Sequence, residues 1–270
     1  MNRRRAITLL GAATLTSCRR TNPLRTFSDI AFGTEVGFQT HGISEAVFEK
    51  LSAECASRLR AMESLFSLYD PGSTLSKLNR EGRLDRPPAE FLALIQTALE
   101  YGGKTGGVFD ITVQPLWDWR QKWKEANLSE RTIMESTTWD EAIALVGYGQ
   151  VSADENAIIF GKKGMGITLN AIVQGYATDR IAALLRKGGV TSSLVNIGEY
   201  AAMGNAPDGK PWSVEFSASG ERIALPPGRA LAVSAGSGHI FHPEGRFHHI
   251  FRPADGANTR PDSTISVTAP

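Results

Sequence analysis

The chain has 270 residues, 41% of them hydrophobic and 21% charged, enough apolar material for one large domain or two small ones. Its formal net charge of +1 excludes the basic surplus with which electrostatic nucleic-acid binders meet phosphates, so no nucleic-acid partner is expected. Glycine and proline, 27 and 13 residues, are in ordinary use and do not indicate a disordered chain.

The chain opens "MNRRRAITLLGAATLTSC". Arg3 to Arg5 precede a short apolar run, Ala6 to Leu15, that is too short to span a bilayer as a helix. Residues 1–18 read as an export signal, and the paired arginines directly before the run point to the twin-arginine route. The signal ends "LTSC", with Leu15 three residues before Cys18 and a small residue between them. This is a lipobox-like pattern, in which cleavage leaves Cys18 as a lipid-bearing N-terminus; a plain signal-peptidase cut nearby is the other reading. The expectation is a protein on the periplasmic side of a bacterial membrane, held on it by a lipid anchor and not spanning it. Cys55 is then the sole remaining thiol, which excludes an intramolecular disulfide and a Cys-rich metal site.

Residues 19–29 read as a tether. "IAFGTEVGFQTHG" alternates like a strand, with Gly33 near its start. From Ala46 to Leu65, Val47, Leu51, Cys55, Leu59, Met62 and Leu65 recur at helical spacing. "YDPGS" is a turn. "EFLALIQTALEYGGKTGG" reads as a second amphipathic helix stopping at Gly102-Gly103. The region from Leu128 to Val146 is polar and helical, and "AIIFGKKGMGITLN" reads as a β-hairpin turning at Lys-Lys-Gly. A third helix runs from Ile172 to Lys187 and closes at Gly188-Gly189. Strands follow at "SSLVNIG", "WSVEFSA", "ALAVSAG", "HHIFRP" and "TISVTAP". Helices come early and strands late, without a βαβ repeat. The pattern predicts an α+β fold, one domain over residues 30–270 with a mixed β-sheet and packed helices.

Common catalytic signatures are absent: no G-x-S-x-G, H-E-x-x-H or G-x-x-x-x-G-K-S/T occurs, and no G-x-G-x-x-G opens a helix after a strand. His248 and His249 are adjacent, and on a strand they point to opposite faces, so the pair does not chelate one ion.

"AFGT" at Ala31 to Thr34, "FSLYDPGSTLSKLN" from Phe66, "TGGVFDITVQPLWDWR" from Thr105, "TLNAIVQGYATDR" from Thr168, "SLVNIGEYAAMG" from Ser193, "VSAGSG" from Val233 and "FHHIFRPADG" from Phe247 follow one another along the chain. In order and spacing they resemble the ApbE family of FAD:protein FMN transferases over nearly all of the sequence after residue 30. The longest match is "TGGVFDITVQPLWDWR", which is similar to the family's "TGGAFDPTVGPLW". Leu-Asn before Ala171, Gln174-Gly175 and Gly198-Glu199 look closer to the NosX-like branch, associated with flavinylation of a membrane flavoprotein of nitrous-oxide reduction.

The resemblance implies a Mg²⁺-dependent enzyme that binds FAD and moves FMN onto a Thr or Ser hydroxyl of a partner flavoprotein, releasing AMP. Such chemistry needs an apolar, aromatic slot for the flavin, a cation at the pyrophosphate and an acceptor hydroxyl in line with phosphorus. By resemblance, Phe32 and Tyr69 contact the flavin end, with strand-core and turn-packing roles as their structural alternatives. Val108, Phe109 and Asp110 line the FAD site largely through backbone; for Asp110, capping the turn before Thr112 is an equal reading. Thr168 stands where many members have Asp, and Gln174 where they have Lys or Glu, so both are expected to bind the nucleotide by hydrogen bonds without charge. Ala171 matches a position that offers its backbone carbonyl to Mg²⁺. His249 matches the family's His before an "IIDP" turn, where it binds flavin phosphate or positions the loop, and Ile250 follows it in the FAD site. Arg252 replaces that turn's Asp. Asn196, Gly198 and Glu199 sit at a strand end, with Glu199 a candidate to orient the acceptor or a metal-bound water. In the family the last strand is followed by an acidic segment, "ADALSTA", whose Asp and Thr are the principal side-chain Mg²⁺ ligands. This sequence stops at "STISVTAP", so the domain is expected to be C-terminally incomplete. The alternative is a catalytically weak FAD-binding assembly factor.

Overall fold

The computed structural model describes residues 23–126, 137–215, 220–242, 247–260 and 263–270. The export signal, Cys18 and the start of the polar stretch from Leu128 lie outside these residues.

The framework is a six-stranded sheet in the order β1-β2-β6-β7-β10-β11, formed by Arg25–Ala31, Thr34–Thr40, Ser193–Asn196, Tyr200–Met203, Ala230–Ala235 and Thr264–Ala269. Every ladder in it is antiparallel. The sheet expected to be mixed is therefore antiparallel among the described residues, while the α+β class stands. Residues 25–29, read as tether, are instead most of β1: Thr26, Ser28 and Ile30 are exposed and the residues between them are half-buried, with Phe27 stacked on Phe38 at 5.3 Å. What reads as one strand is thus the tip and second arm of a hairpin. Phe32 and Gly33 both take positive φ, 52° and 75°, as a two-residue hairpin turn requires. The Phe32 N–H donates to Glu63 Oε1 at 2.8 Å, tying the tip to the helix beneath.

That helix, α1 (Glu45–Phe66), matches the predicted periodicity, with Leu51, Cys55, Leu59, Met62 and Phe66 buried and Ser44 capping its N-terminus. Burial pushes the Cys55 thiol up to about 12, so it is an inert core group. α2 (Thr74–Glu81) and α3 (Ala89–Lys104) follow, then α4 (Gln114–Ala126), α5 (Thr137–Ile143) and α6 (Val173–Lys187). α6 lies against α1; a Cβ on Gly188 would sit 2.4 Å from Leu51. Glu90 of α3 accepts hydrogen bonds from Arg58 of α1 and from Tyr176 of α6, joining three helices through one carboxylate.

Three apolar clusters result. The largest packs α1, α2, α3 and α6 against one face of the sheet. A second fills the other face, where Trp212, Val214 and Leu225 of the hairpin β8 (Trp212–Glu215) and β9 (Arg222–Leu225) cover Ala202 and Leu231. The third joins α4 and α5 to the segment around Phe241 and Phe251. There Arg120, 5% exposed, lies 4.1 Å from the Phe247 ring centroid and 4.5 Å from that of Trp139, a desolvated cation held by aromatic faces.

Three further expectations are corrected. α3 does not stop at Gly102-Gly103 but runs to Lys104. Gly102 is there for contact, because a Cβ on it would meet the Tyr148 ring at 2.8 Å. The hairpin in "AIIFGKKGMGITLN" is displaced: β5 (Ala157–Phe160) pairs backward with β4 (Val151–Ala153) and with β3 (Arg83–Asp85). "GITLN" forms no ladder, since Asn79 takes over its backbone bonds, accepting from Ile167 N at 2.8 Å and donating to Ile167 O at 2.9 Å. "HHIFRP" makes only isolated bridges, Ile240 with His248 and Phe251 with Asn258.

Gly102→Ala is expected to lower the thermal midpoint by about 3–10 °C, the effect of ~1–3 kcal/mol of overpacking in a chain of this size. The double variant Gly102→Ala, Tyr148→Ala should recover part of the overpacking cost relative to Tyr148→Ala alone, as differential scanning calorimetry would show.

Candidate functional site

Four connections, joined by Phe32 of the β1–β2 turn and Tyr69 of the loop between α1 and α2, meet around a cavity of about 710 Å³: the loop after α3, the loop before α6, the β6–β7 turn and the segment after β10. The size is ordinary for a ligand site.

The loop after α3 is set by its own polar groups. Gly106 and Gly107 take positive φ, 61° and 82°. Thr105 Oγ1 accepts from Phe109 N at 3.0 Å. Asp110 Oδ1 accepts from the Thr112 N–H (2.7 Å) and hydroxyl (2.6 Å), and Oδ2 accepts from Tyr148 N at 2.9 Å. Thr112 Oγ1 in turn accepts from Gly147 N at 2.7 Å. Both readings of Asp110 therefore meet in one residue: it caps the turn, and it lines the cavity. Val108, 78% exposed, stands at the rim with Tyr69, 70% exposed. Tyr69 does not fold back on its own Pro-Gly turn alone, since its ring approaches the position of a Cβ on Gly33 to 3.8 Å. Phe32 and Phe109 complete this aromatic side.

The second connection starts where Thr168 N donates to Ile111 O at 2.8 Å. Thr168, Ala171 and Gln174 line the cavity. α6 begins at Val173 with no side-chain cap and no acid in its first turn. The N–H groups of Ile172 and Val173 donate to Leu169 O at 2.9 and 2.8 Å, so those of Gln174 and Gly175 are the ones placed to meet an anion. Gln174 packs onto Gly198, whose φ is +89° and where an added Cβ would fall 2.3 Å from Nε2. The bare turn is what gives the amide its place. Asn196 serves that turn, accepting from Gly198 N at 3.0 Å, and is not part of the cavity wall.

The far wall carries histidines. His249 and Ile250 line the cavity, joined by residues that sequence reasoning left unassigned, Trp117, Val233 and His239. Trp117 lies 4.5 Å from the His239 ring and 6.4 Å from that of His249, centroid to centroid. Its only signal was a place inside the longest matching stretch. The adjacent histidines part as expected: His248 is fully buried with Nε2 near Thr259 O at 2.9 Å, and His249 faces the cavity. Arg252 does not reach the wall; its guanidinium pairs with Asp255.

The cavity's charge is unusual for a nucleotide site. Among the described residues no Lys or Arg side chain lines it, and Asp110 and Glu199 are its acids. Burial pushes the Glu199 carboxyl up from its ordinary value, opposed by the hydrogen bond it accepts from Val233 N. Burial lowers His249, against the His239 carbonyl that favours its charged form and with the charge of His248. Burial lowers His239 as well, assisted by Lys124 and His249. Both shifts favour the neutral ring. The neutral, aromatic lining fits a flavin. It does not fit a magnesium centre by itself: among the described residues no three His, Cys, Asp or Glu side chains gather to hold a metal, and Ala171 offers only a carbonyl.

Asp110→Ala is expected to cost about 1–3 kcal/mol, because two backbone N–H groups and the Thr112 hydroxyl lose their acceptor. Asp110→Asn, which keeps one acceptor oxygen, should lose less; urea unfolding midpoints compare the two.

Comparison with known proteins agrees with this architecture. A family model described as the ApbE family matches residues 32–269. FAD:protein FMN transferase of Klebsiella pneumoniae is 24% identical over 85% of this chain and 69% of its own length. That of Salmonella typhimurium is 26% identical over 98% of this chain and 81% of its own. The apo crystal structure of Pseudomonas stutzeri flavinyl transferase ApbE superposes with a TM-score of 0.76 at 21% identity, over 92% of this chain and 80% of that one. The Thermotoga maritima ApbE protein gives 0.76 at 23% identity, over 92% and 82%. With the family model spanning almost all of the described fold, the chain belongs to the ApbE family.

Proposed function

We propose that this protein is an FAD:protein FMN transferase. An acceptor Thr or Ser hydroxyl attacks the phosphorus of the FMN half of FAD. The new O–P bond forms as the bridging P–O bond breaks, the electron pair leaves with AMP, and the hydroxyl proton passes to a base. One observation carries this reading: ten residues implied by family resemblance, drawn from five separate stretches, line a single cavity. The names of the relatives point the same way.

The chain's own groups divide the work. The aromatic side formed by Phe32, Tyr69 and Phe109, with Trp117 opposite, takes the flavin ring. The uncapped start of α6 meets the pyrophosphate with backbone N–H groups, and Thr168 and Gln174 add neutral hydrogen bonds. His249 is the base. Its Nδ1 lies 3.3 Å from the His239 carbonyl, which can only accept, so Nδ1 carries the proton and Nε2 keeps its lone pair. A neutral ring at working pH is what proton removal requires. Magnesium would supply Lewis-acid stabilisation at the pyrophosphate, and Ala171 would offer its carbonyl.

The export signal sets the enzyme on the periplasmic side, lipid-anchored through Cys18, with an acceptor flavoprotein of nitrous-oxide reduction as partner. Among the described residues no helix is long and apolar enough to cross a membrane. The second reading, an FAD-binding assembly factor without transferase activity, is favoured by the lack of a three-ligand metal cluster among those residues.

Incubation with FAD, Mg²⁺ and a Thr-bearing acceptor should give a covalent fluorescent band in a denaturing gel together with AMP, and EDTA should suppress both. FAD bound without label or AMP selects the second reading; AMP and FMN released without label means that water is the acceptor. His249→Ala is expected to slow transfer by roughly 10²–10⁴-fold. Because burial holds His249 below its ordinary 6.5, the wild-type rate at saturating FAD should be flat across neutral pH and fall only on the acid side of 6.5. A loss that begins above pH 7 as the solution is acidified contradicts the assignment.

A further inference from the structure

Glu199 is the acid of the cavity that the proposed reaction leaves unused. Its position is fixed from three sides. The backbone carbonyl accepts from the Thr178 hydroxyl of α6 at 3.0 Å and from Ile197 N at 3.1 Å. The side chain crosses to β10, where Oε2 accepts from Val233 N at 3.1 Å. The β7–β10 ladder ends at the pair Leu231–Tyr200, so the carboxylate continues by side chain what the backbone stops doing. Oε1 has no hydrogen-bond partner among the described residues, and the residue lines the cavity.

The ligand of the proposed reaction carries an ionised pyrophosphate. The groups around it are Asp110, whose oxygens already accept from Thr112 and Tyr148, the histidines His239 and His249, Lys124 behind His239, and Tyr200 beside Glu199. Among the described residues none of the lining side chains is a Lys or Arg. An ionised Glu199 would face that anion in a half-buried wall with no cationic side chain to offset it, at a Coulombic cost that a proton removes.

We propose that Glu199 is a ligand-contacting residue that holds β10 with one carboxyl oxygen and, carrying a proton on the other, donates a hydrogen bond to an oxygen of the bound flavin dinucleotide, so that binding takes up one proton. The inference rests on the reading of the cavity as an FAD site. Burial, which raises the carboxyl in the free protein, already leans toward this form.

The test is FAD binding by calorimetry between pH 5 and 8, in two buffers of different ionisation enthalpy, with wild type and Glu199→Gln. Wild-type affinity should fall as pH rises, approaching about tenfold per pH unit once the free carboxyl ionises. Gln keeps the acceptor for Val233 N and donates permanently, so the variant should bind with less pH dependence, take up about one proton fewer, and exceed wild type at pH 8. Difference infrared spectra of the wild type on FAD addition should lose a carboxylate band and gain a protonated carboxyl band, a readout that needs no variant. The same slope persisting in Glu199→Gln would assign the uptake to His239 and His249 and overturn the proposal. So would weaker binding by the variant at every pH, or unchanged carboxyl bands. Failure of wild type to bind FAD at any pH would instead sink the reading of the cavity, and this inference with it.

Discussion

The cavity floor hangs on the Asp110 carboxylate. Its two oxygens hold the turn at Thr112 and the N–H of Tyr148, while Thr112 passes the tie on to Gly147. Two stretches far apart in sequence are thereby fixed to each other: the end of the loop after α3 with the turn that leads into α4, and the link from α5 to β4. Ile111, locked between Asp110 and Thr112, gives its carbonyl to Thr168 N, so the loop before α6 inherits its position from the same group. Charge-assisted bonds to backbone N–H are among the stronger neutral-to-ion contacts. Concentrating them at one residue lets a wall built from loops keep a shape that loops alone do not hold.

What remains for the ligand is then mostly backbone, aromatic rings and neutral polar groups. The helix α6 brings a partial positive charge without a side chain, and burial shifts the histidines of the wall toward their neutral forms. Such a site recognises shape and stacking more than charge. It leaves the neutralisation of the pyrophosphate to something that comes with the ligand, whether a metal ion or a proton. Two of the positive-φ positions at its edge fit this pattern. Phe32 is held in a left-handed turn by Glu63, and Gly198 leaves the space that Gln174 fills. Each places a ligand-facing group by constraining the backbone beside it.

Much of this was legible in the sequence because its signals are periodic or local. The spacing of Leu51, Cys55, Leu59 and Met62 marks α1, and Gly188-Gly189 marks the end of α6. The motif matches located the site for a different reason: they preserve order and spacing, and Phe32, Tyr69, Phe109, Thr168, Gln174 and His249 all reach the cavity. The failures share a cause. Gly102 carries the local mark of a helix stop, yet its partner Tyr148 is distant in sequence. "GITLN" has strand-like residues, yet Asn79 satisfies the backbone bonds that a neighbouring strand would have made. His239 and Trp117 join the wall through stacking across the third cluster, which no window of sequence contains.

The third cluster also explains how the histidine wall is kept in place. Among the described residues the segment carrying His239, Phe241, Phe247 and Phe251 forms isolated bridges and no extended ladder, with Phe241 N donating to Phe247 O at 2.8 Å and His249 N to His239 O at 3.1 Å. Rings add to these bonds: Trp117 against Phe241 at 5.0 Å, Phe241 against Phe251 at 6.2 Å, and Trp123 against Phe247 at 5.5 Å. Arg120 sits within this group, contacting Trp119, Trp123, Trp139 and Phe247. Its planar cation can face several rings at once, where a lysine would meet one or two. Since α4 presents Arg120 three residues after Trp117, one helical turn joins the anchor of the wall to the ring that faces the ligand. The orientation of His249, and with it the lone pair offered to the acceptor hydroxyl, therefore depends on the His239 carbonyl and, through the segment that carries it, on aromatic packing at one remove from the cavity.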